Sequence, residues 1–235
     1  MRNNVICLSA LLLLLNVVVS SCDKKDDDEP NNTTQNTGGS DRSGELFGHD
    51  YVDLGLPSKM KWATSNIGAA SSLEYGDTFS WGQTKADDSD KDVYEPFIGA
   101  DAADLLKKGV IDGVSDADKY LRTAGRLVAE YDAAAENWGG SWRMPTLDDL
   151  KELQESCFWV WCSQSDSNGK PVLGYKVTGP NGNYLFFPVD TKGIGEYWAS
   201  SASSCFSCCL DIFTNCVRRS NTGRSYKYAI RPVSE

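Results

Sequence analysis

Apolar and polar residues alternate over several short stretches of the chain, which predicts β-strands. Residues 173–178 and 183–188 are two such stretches, and the turn Gly-Pro-Asn-Gly between them predicts a β-hairpin. Further strands are predicted at residues 51–54, 61–66, 158–162, 197–200, 208–215 and 226–233. Most of the predicted strands therefore lie in the C-terminal half of the chain.

Helical spacing of apolar residues is found in fewer places. One stripe consists of Leu147, Leu150, Leu153 and, one turn further on, Cys157. Thr146 is a favourable N-cap for this helix, and Asp132 is one for a helix that ends near residue 137. Residues 100–108 also fit a short helix, capped by Asp101. Two helices and a strand-rich C-terminal half predict an α+β domain.

The stretch between the two main helices carries specific local signals. Gly139 and Gly140 permit a sharp turn between two packed aromatic residues, Trp138 and Trp142. Further on, Asp148 and Asp149 could be interpreted as a catalytic carboxylate pair. The favoured interpretation is that they belong to the start of the helix, because a carboxylate there meets free amide groups and needs no partner residue.

Three runs of residues, in this order along the chain, resemble the Fibrobacter succinogenes major paralogous domain family. They are VDLGLPSKMKWATSNIGA with EYGDTFSWGQT, then YDAAAENWGGSWRMPTLDDLKEL, then YWASS with YAIRPV. The resemblance implies a C-type-lectin-like fold for residues 47–235, of a kind found on secreted and lipid-anchored bacterial surface proteins. Residues 85–127 lie between the matching runs and are predicted to be an insertion.

The first 21 residues predict an export signal. Arg2 supplies a positive charge, and residues 5–19 are almost wholly apolar but too short for a comfortable membrane span. The signal ends in Val-Ser-Ser before Cys22, which resembles a lipobox and predicts lipidation of Cys22. An ordinary signal followed by a chance cysteine is the alternative.

Residues 22–46 are predicted to form a disordered tether, because residues 23–30 are strongly charged and residues 31–43 are polar. The run DKKDDDEP also resembles the acidic signal that sends Bacteroidota lipoproteins to the outer face of the outer membrane; a plain spacer is the alternative. The predicted location is therefore the outer membrane, with the protein lipid-anchored through Cys22 and facing the cell exterior.

Net charge limits the partners. The chain carries 33 acidic and 23 basic residues, a formal net charge of −10, which argues against nucleic acid or an anionic membrane as a charge-driven partner. The expected partners are the outer membrane, through the lipid, and an unknown protein or glycan ligand.

The sequence gives little support for a catalytic site or a metal site. His49 is the only histidine, which argues against a Ser-His or Cys-His arrangement. No cofactor or metal is predicted, since zinc usually takes well-spaced cysteine pairs or histidine partners. Beyond the predicted signal and Cys22, six cysteines remain, with their pairing open: Cys157, Cys162, Cys205, Cys208, Cys209 and Cys216.

Residues 200–222 are the predicted ligand-binding region. They contain no Lys, Glu, Gln, Met or Trp, which are residues that randomised AAC or AAT codons cannot encode. Some proteins with the lectin fold are diversified near the C-terminus by retroelements that rewrite adenines; a serine-rich segment that drifted is the alternative. The candidate ligand-binding residues are Ser203, Ser204, Phe206, Asp211, Phe213, Asn215, Arg218, Arg219 and Asn221.

The first hypothesis is thus a surface-anchored, non-enzymatic lipoprotein that binds a protein or glycan through this C-terminal region. The alternative is a structural fimbrial or envelope assembly subunit. An oxidase of the formylglycine-generating type, which has the same fold and uses a cysteine pair, is a more distant alternative resting on fold analogy alone.

Overall fold

The computed structural model describes residues 39–86, 97, 99–113 and 123–235. The predicted signal (1–21), Cys22, the tether up to residue 38, and residues 87–96, 98 and 114–122 of the predicted insertion lie outside the described residues.

The described residues form an α+β domain with antiparallel sheets. The strands are β1 (Gly44–Leu46), β2 (His49–Asp53), β3 (Lys61–Ala63), β4 (Ile111–Asp112), β5 (Thr123–Leu127), β6 (Phe158–Ser165), β7 (Pro171–Thr178), β8 (Tyr184–Pro188), β9 (Gly195–Ser203), β10 (Phe206–Phe213), β11 (Cys216–Thr222) and β12 (Val233–Ser234). The α-helices are α1 (Ala102–Lys107), α2 (Ala133–Trp138) and α3 (Leu147–Ser156). The sheets have the orders β1-β2-β3-β12, β11-β10-β9-β5-β4 and β6-β7-β8.

Two buried clusters form the core. The first brings the leucine stripe of α3 together with residues of all three sheets, including Trp62, Phe187 and Leu210. The second surrounds Trp81 and Trp198. Because β9 and β10 contribute to both clusters, with Leu210 in the first and Cys209 in the second, this part of the large sheet is held from both faces.

The start of α3 confirms the capping prediction. Thr146 Oγ1 accepts from Asp149 N at 3.2 Å, and Asp149 Oδ2 accepts from Thr146 N at 2.7 Å, a complete capping box. Asp149 is also bound by Arg143 at 2.7 Å. Since its carboxylate is used in these contacts, the start of the helix accounts for Asp149 without a catalytic role.

The predicted turn before α3 is also confirmed. Gly139 and Gly140 have φ angles of 68° and 61°, which other residues rarely adopt. Trp138 and Trp142 pack edge to face, with centroids 5.2 Å apart. Asp132 caps α2 through Ala134 N and also accepts from Met144 N, so one buried carboxylate joins α2 to the segment that leads into α3.

Several predictions need correction. Residues 44–46, assigned to the tether, form β1, so the folded part begins before residue 47. Residues 123–127, assigned to the insertion, form β5 and pair with β9 inside the large sheet. The short helix predicted at residues 100–108 is confirmed as α1, capped by Asp101, so the described part holds three α-helices where the predicted domain counted two. Residues 226–233 are mostly not a strand, because they make only isolated bridges before β12.

His49 supports a prediction about pH. It lies on β2 and stacks on Trp138 with centroids 3.7 Å apart, and burial lowers its pKa despite the opposing effect of Glu45. The unfolded chain therefore binds the proton more strongly, so this contribution to stability is present above about pH 6.5 and is lost as the pH falls towards the folded pKa. His49→Gln should show a smaller loss of unfolding free energy from about pH 7.5 to 5.5 than the wild type. Because His49 is the only histidine, equal losses in urea titrations would contradict this.

Candidate functional site

The predicted ligand-binding residues are divided by strand alternation between two faces of the β10–β11 hairpin. Asp211 pairs with Arg218 and Cys209 pairs with Ser220, so these four side chains share one face, called here the Asp211 face. The opposite face carries Arg219, which contacts Glu155 of α3 at 3.4 Å. The hairpin therefore presents one face to α3 and leaves the rim of the other exposed.

Asp211 organises its face. Its side chain is buried, with 6% of the residue exposed, and it accepts from Arg218 Nε at 3.1 Å and from Ser220 Oγ at 2.7 Å. The Cys209 thiol donates to its other oxygen at 3.4 Å, and burial raises the pKa of that thiol, which keeps it protonated. A buried carboxylate thus holds three neighbouring side chains in place.

Arg218 is the most exposed member of this network. Asp211 fixes its Nε, and its guanidinium lies 5.4 Å from the ring centroid of Phe213. The guanidinium is thereby oriented while most of the side chain remains accessible to solvent. Such a pre-ordered arginine beside an aromatic ring is a typical anchor for a ligand.

A second carboxylate borders the same face. Glu196 of β9 lies opposite Asp211, and its pKa is raised mainly by burial and further by the charge of Asp211. The Tyr228 hydroxyl is hydrogen-bonded to Glu196 and to Thr222. Tyr226 stacks on Tyr228 and is largely exposed, so the face ends in an aromatic rim.

The β9–β10 turn carries two further predicted residues. Ser204 has a φ of 47°, and Phe206 is exposed. Arg224 Nη2 donates to both of their carbonyl oxygens, at 2.8 and 2.9 Å, which anchors the turn. Asn215, in the β10–β11 turn, is exposed.

Other predicted residues are not brought to the Asp211 face. Ser203 is buried and accepts from Asn221 Nδ2 at 3.3 Å, and Arg219 is directed towards α3. The residues that the sequence analysis missed are Glu196, Ser220, Tyr226 and Tyr228. Ser220 could have been found from strand alternation, since it lies two residues from Arg218, but β11 itself was not predicted.

Half of the cysteine cluster in residues 205–216 belongs to the core. Cys208 and Cys209 are fully buried, one in each of the two core clusters. Small buried thiols are common in protein cores. Of this cluster only Cys216 is exposed and Cys205 half-buried.

Other concave surfaces of the described residues are open to solvent. One, of about 380 Å³, lies beside His49 and Thr64, and another, of about 320 Å³, lies between Arg126 and Thr146. Within residues 39–86, 97, 99–113 and 123–235, no three His, Cys, Asp or Glu side chains are placed to hold a metal ion. In the same ranges no helix has the length and apolar character needed to cross a bilayer.

Comparison of the chain with protein-family models, with curated proteins and with solved structures found no match in any of the three. The resemblance to the Fibrobacter family therefore remains a prediction that rests on its motifs.

The Asp211 network leads to a prediction about stability. Asp211→Ala leaves the donors of Cys209, Ser220 and Arg218 without their acceptor, so we expect the free energy of unfolding to fall by about 2 kcal/mol. Arg218→Ala removes only a largely exposed ion pair and should cost less than about 1 kcal/mol. Urea denaturation of both variants checks this, and equal losses would show that Asp211 does not organise the face.

Proposed function

We propose that this protein is a surface-anchored, non-enzymatic lipoprotein with a C-type-lectin-like domain, lipidated on Cys22 and facing the exterior of the outer membrane. It recognises a protein or glycan ligand through the C-terminal strand–loop region. The signal, lipobox and acidic run support the anchoring, and the family-like motifs support the fold class.

The observation that carries the binding role is the Asp211 face. A buried carboxylate pre-orders Arg218 beside Phe213 on a sheet packed from both sides. Rigid presentation of an arginine and aromatic rings lowers the entropy lost on binding. The face also offers carboxylate and hydroxyl groups of Glu196 and Ser220 for polar contacts, which suits a polar ligand.

Arrays of glycans and of purified extracellular proteins, probed with the labelled full-length chain, test this proposal. Arg218→Ala should weaken binding to any captured ligand by at least about tenfold, as expected for a hot-spot residue. Arg219→Ala is the matched control, because it changes the neighbouring arginine on the opposite face. Equal loss in both variants, or no capture on either array, would refute recognition through this face.

Retroelement diversification is a separate part of the proposal. The exposed positions of the region are concentrated in the two turns and on β11, including Ser204, Phe206, Asn215, Arg218 and Asn221. Deep sequencing of codons 196–233 in a clonally derived population should show adenine-directed substitutions at such positions and few at buried ones. A uniform sequence would contradict active diversification and would indicate a binding protein whose contact residues do not vary.

The second candidate is a structural fimbrial or envelope assembly subunit. A specific feature favours it, namely the exposed apolar residues Phe158 and Val160 on an outer strand. An assembly subunit needs a docking surface of this kind, and a filament requires in addition a contact between other surfaces of the subunit. Polymers in electron micrographs of the purified protein would support this candidate over the first.

A further inference from the structure

The three-stranded sheet β6-β7-β8 has one closed edge. On the side of β8 that faces away from β7, the backbone is already bonded by other parts of the domain. Tyr184 N donates to Ser40 O at 2.9 Å, Arg231 Nη2 donates to Phe186 O at 3.0 Å, and the Tyr197 hydroxyl donates to Pro188 O at 2.5 Å. Another strand therefore cannot add to the sheet at β8.

The edge at β6 is open in the described part of the chain, where β6 pairs with β7 alone. At the end of the β6–β7 hairpin, Asp166 N donates to Lys170 O at 2.9 Å, so these two residues form a hydrogen-bonded pair. Bonded and non-bonded pairs alternate in an antiparallel ladder, so every second residue of β6 counted back from Asp166 bonds to β7, and Val160 is one of them. The backbone groups of Trp159, Trp161 and Ser163 therefore point to the open edge.

The side chains of β6 do not protect this edge. Its eight residues, FWVWCSQS, include no charged residue and no proline, and the pairing with β7 runs without a bulge. Phe158 is 72% exposed and Val160 41% exposed. Trp159 and Trp161 are half-buried on the other face of the sheet. Protected edges normally carry charges, prolines or bulges, or are very short.

The outer strands of the other two sheets follow that rule. β1 has three residues including Glu45, β4 has two including Asp112, and β12 has two. β11 is long but carries Arg218 and Arg219. Among these outer strands β6 alone is long, uncharged and apolar, so its edge is the one that is suited to accept a further strand.

We propose that β6 pairs with β6 of a second copy of this chain, antiparallel about a twofold axis through Val160. The central part of β6, Trp-Val-Trp at residues 159–161, reads the same in both directions. A twofold axis through Val160 therefore sets like residues against each other, because in such an interface each residue that contacts a second one is contacted by it in return. Trp159 then lies opposite Trp161 of the second copy, and the two Val160 side chains lie opposite each other.

The geometry of the open edge fits this register. Trp159 and Trp161 are the residues whose N–H and C=O groups face outwards, so each Trp159–Trp161 pair exchanges backbone hydrogen bonds. Directly opposed residues lie on the same face of an antiparallel sheet, so the tryptophans meet on one face and Phe158 meets Cys162 on the other. The result is a continuous six-stranded sheet across the two copies.

Charge restricts where a second copy can approach. The chain has a formal net charge of −10, so two copies repel each other over most of their surface. β6 is a strip without charge, where the copies approach at the lowest electrostatic cost. A twofold contact uses the same surface on both copies and closes on itself, so it yields a dimer rather than a filament.

Val160→Lys tests the pairing by placing two positive charges opposite each other on the axis. For the full-length chain in detergent, sedimentation analysis should show a wild-type dimer whose dissociation constant rises at least about tenfold in this variant. Leu106→Lys is the matched control, because Leu106 is 46% exposed on α1, and it should leave the dimer intact. Near-ultraviolet circular dichroism verifies that both variants are folded.

Val160→Cys tests the register directly. The two Val160 positions form a pair without backbone hydrogen bonds, with Cα atoms about 4.5 Å apart, which is within the range of a disulfide. Copper phenanthroline as oxidant should convert this variant to a covalent dimer linked at position 160, identified by mass spectrometry. Leu106→Cys should not form the corresponding link. A monomeric wild type, a dimer unchanged by Val160→Lys, or no link at position 160 would overturn the proposal.

Discussion

Arg231→Ala is expected to lower the free energy of unfolding by about 4 kcal/mol, because it leaves several buried acceptors without a donor. Arg231 is 1% exposed, and its Nε donates to Asn66 Oδ1 at 2.7 Å. Its two Nη atoms donate to the carbonyl oxygens of Ala63, Thr64 and Phe186 at 3.0 to 3.2 Å. One side chain thus holds together the end of β3, the closed edge of β8 and the C-terminal segment.

The charge of Arg231 is kept in spite of its burial. Burial lowers its pKa to about 10, so the guanidinium remains protonated at neutral pH and all its donors stay available. It also lies 4.7 Å from the centroid of the Phe187 ring, which offsets part of the cost of removing the charge from water. Lysine cannot reproduce this planar set of donors, so Arg231→Lys should also be clearly destabilising.

Urea denaturation followed by tryptophan fluorescence measures the effect. The control is Arg42→Ala, because Arg42 is an exposed arginine that pairs with Asp50 at 2.8 Å and should cost less than about 1 kcal/mol. If Arg231→Ala is no more destabilising than this control, Arg231 does not link these segments.

Arg224→Ala is expected to lower the free energy of unfolding by about 3 kcal/mol and, in addition, to loosen the β9–β10 turn. Arg224 is 2% exposed, and its Nη1 donates to Phe97 O and Ala100 O at 2.9 and 2.7 Å. Its Nη2 and Nε donate to the turn, at Ser204 O, Phe206 O and Ser207 Oγ. Loss of the guanidinium therefore releases both segments at once.

A local increase in hydrogen exchange at the β9–β10 turn would distinguish this effect from a general loss of stability. Hydrogen exchange of residues 204–207 should increase in Arg224→Ala more than exchange in β6 and β7, which Arg224 does not contact. Arg219→Ala serves as the control, since that arginine lies on the other face of the hairpin, where it contacts Glu155. Uniformly increased exchange throughout the domain would contradict a specific role in holding the turn.

Elements with local causes were predicted well from the residue order. The capping box of Thr146 and Asp149 depends on residues three apart, and the turn at Gly139 and Gly140 depends on the conformational freedom of glycine itself. The β7–β8 hairpin likewise follows from its turn and the alternation beside it. These features need no information about distant parts of the chain.

The candidate site was predicted only in part. Of the predicted ligand-binding residues, the structure brings Asp211, Phe213 and Arg218 together, whereas Arg219 lies on the opposite face of the hairpin. Alternation in a strand separates two faces without indicating which of them another element will cover. Glu196 and Tyr228 were missed because they reach the site from β9 and from the C-terminal segment.

Residue order alone therefore predicted the α+β class, the helix start of α3 and the β7–β8 hairpin, since each follows from the chemistry of near neighbours. Long-range contacts established the rest. Arg231 meets Asn66 across 165 positions and Arg224 meets Phe97 across 127, and no local pattern predicts such partners. Packing of distant segments also decided that β8 has a closed edge and β6 an open one, because backbone groups are satisfied by whatever the fold brings beside them.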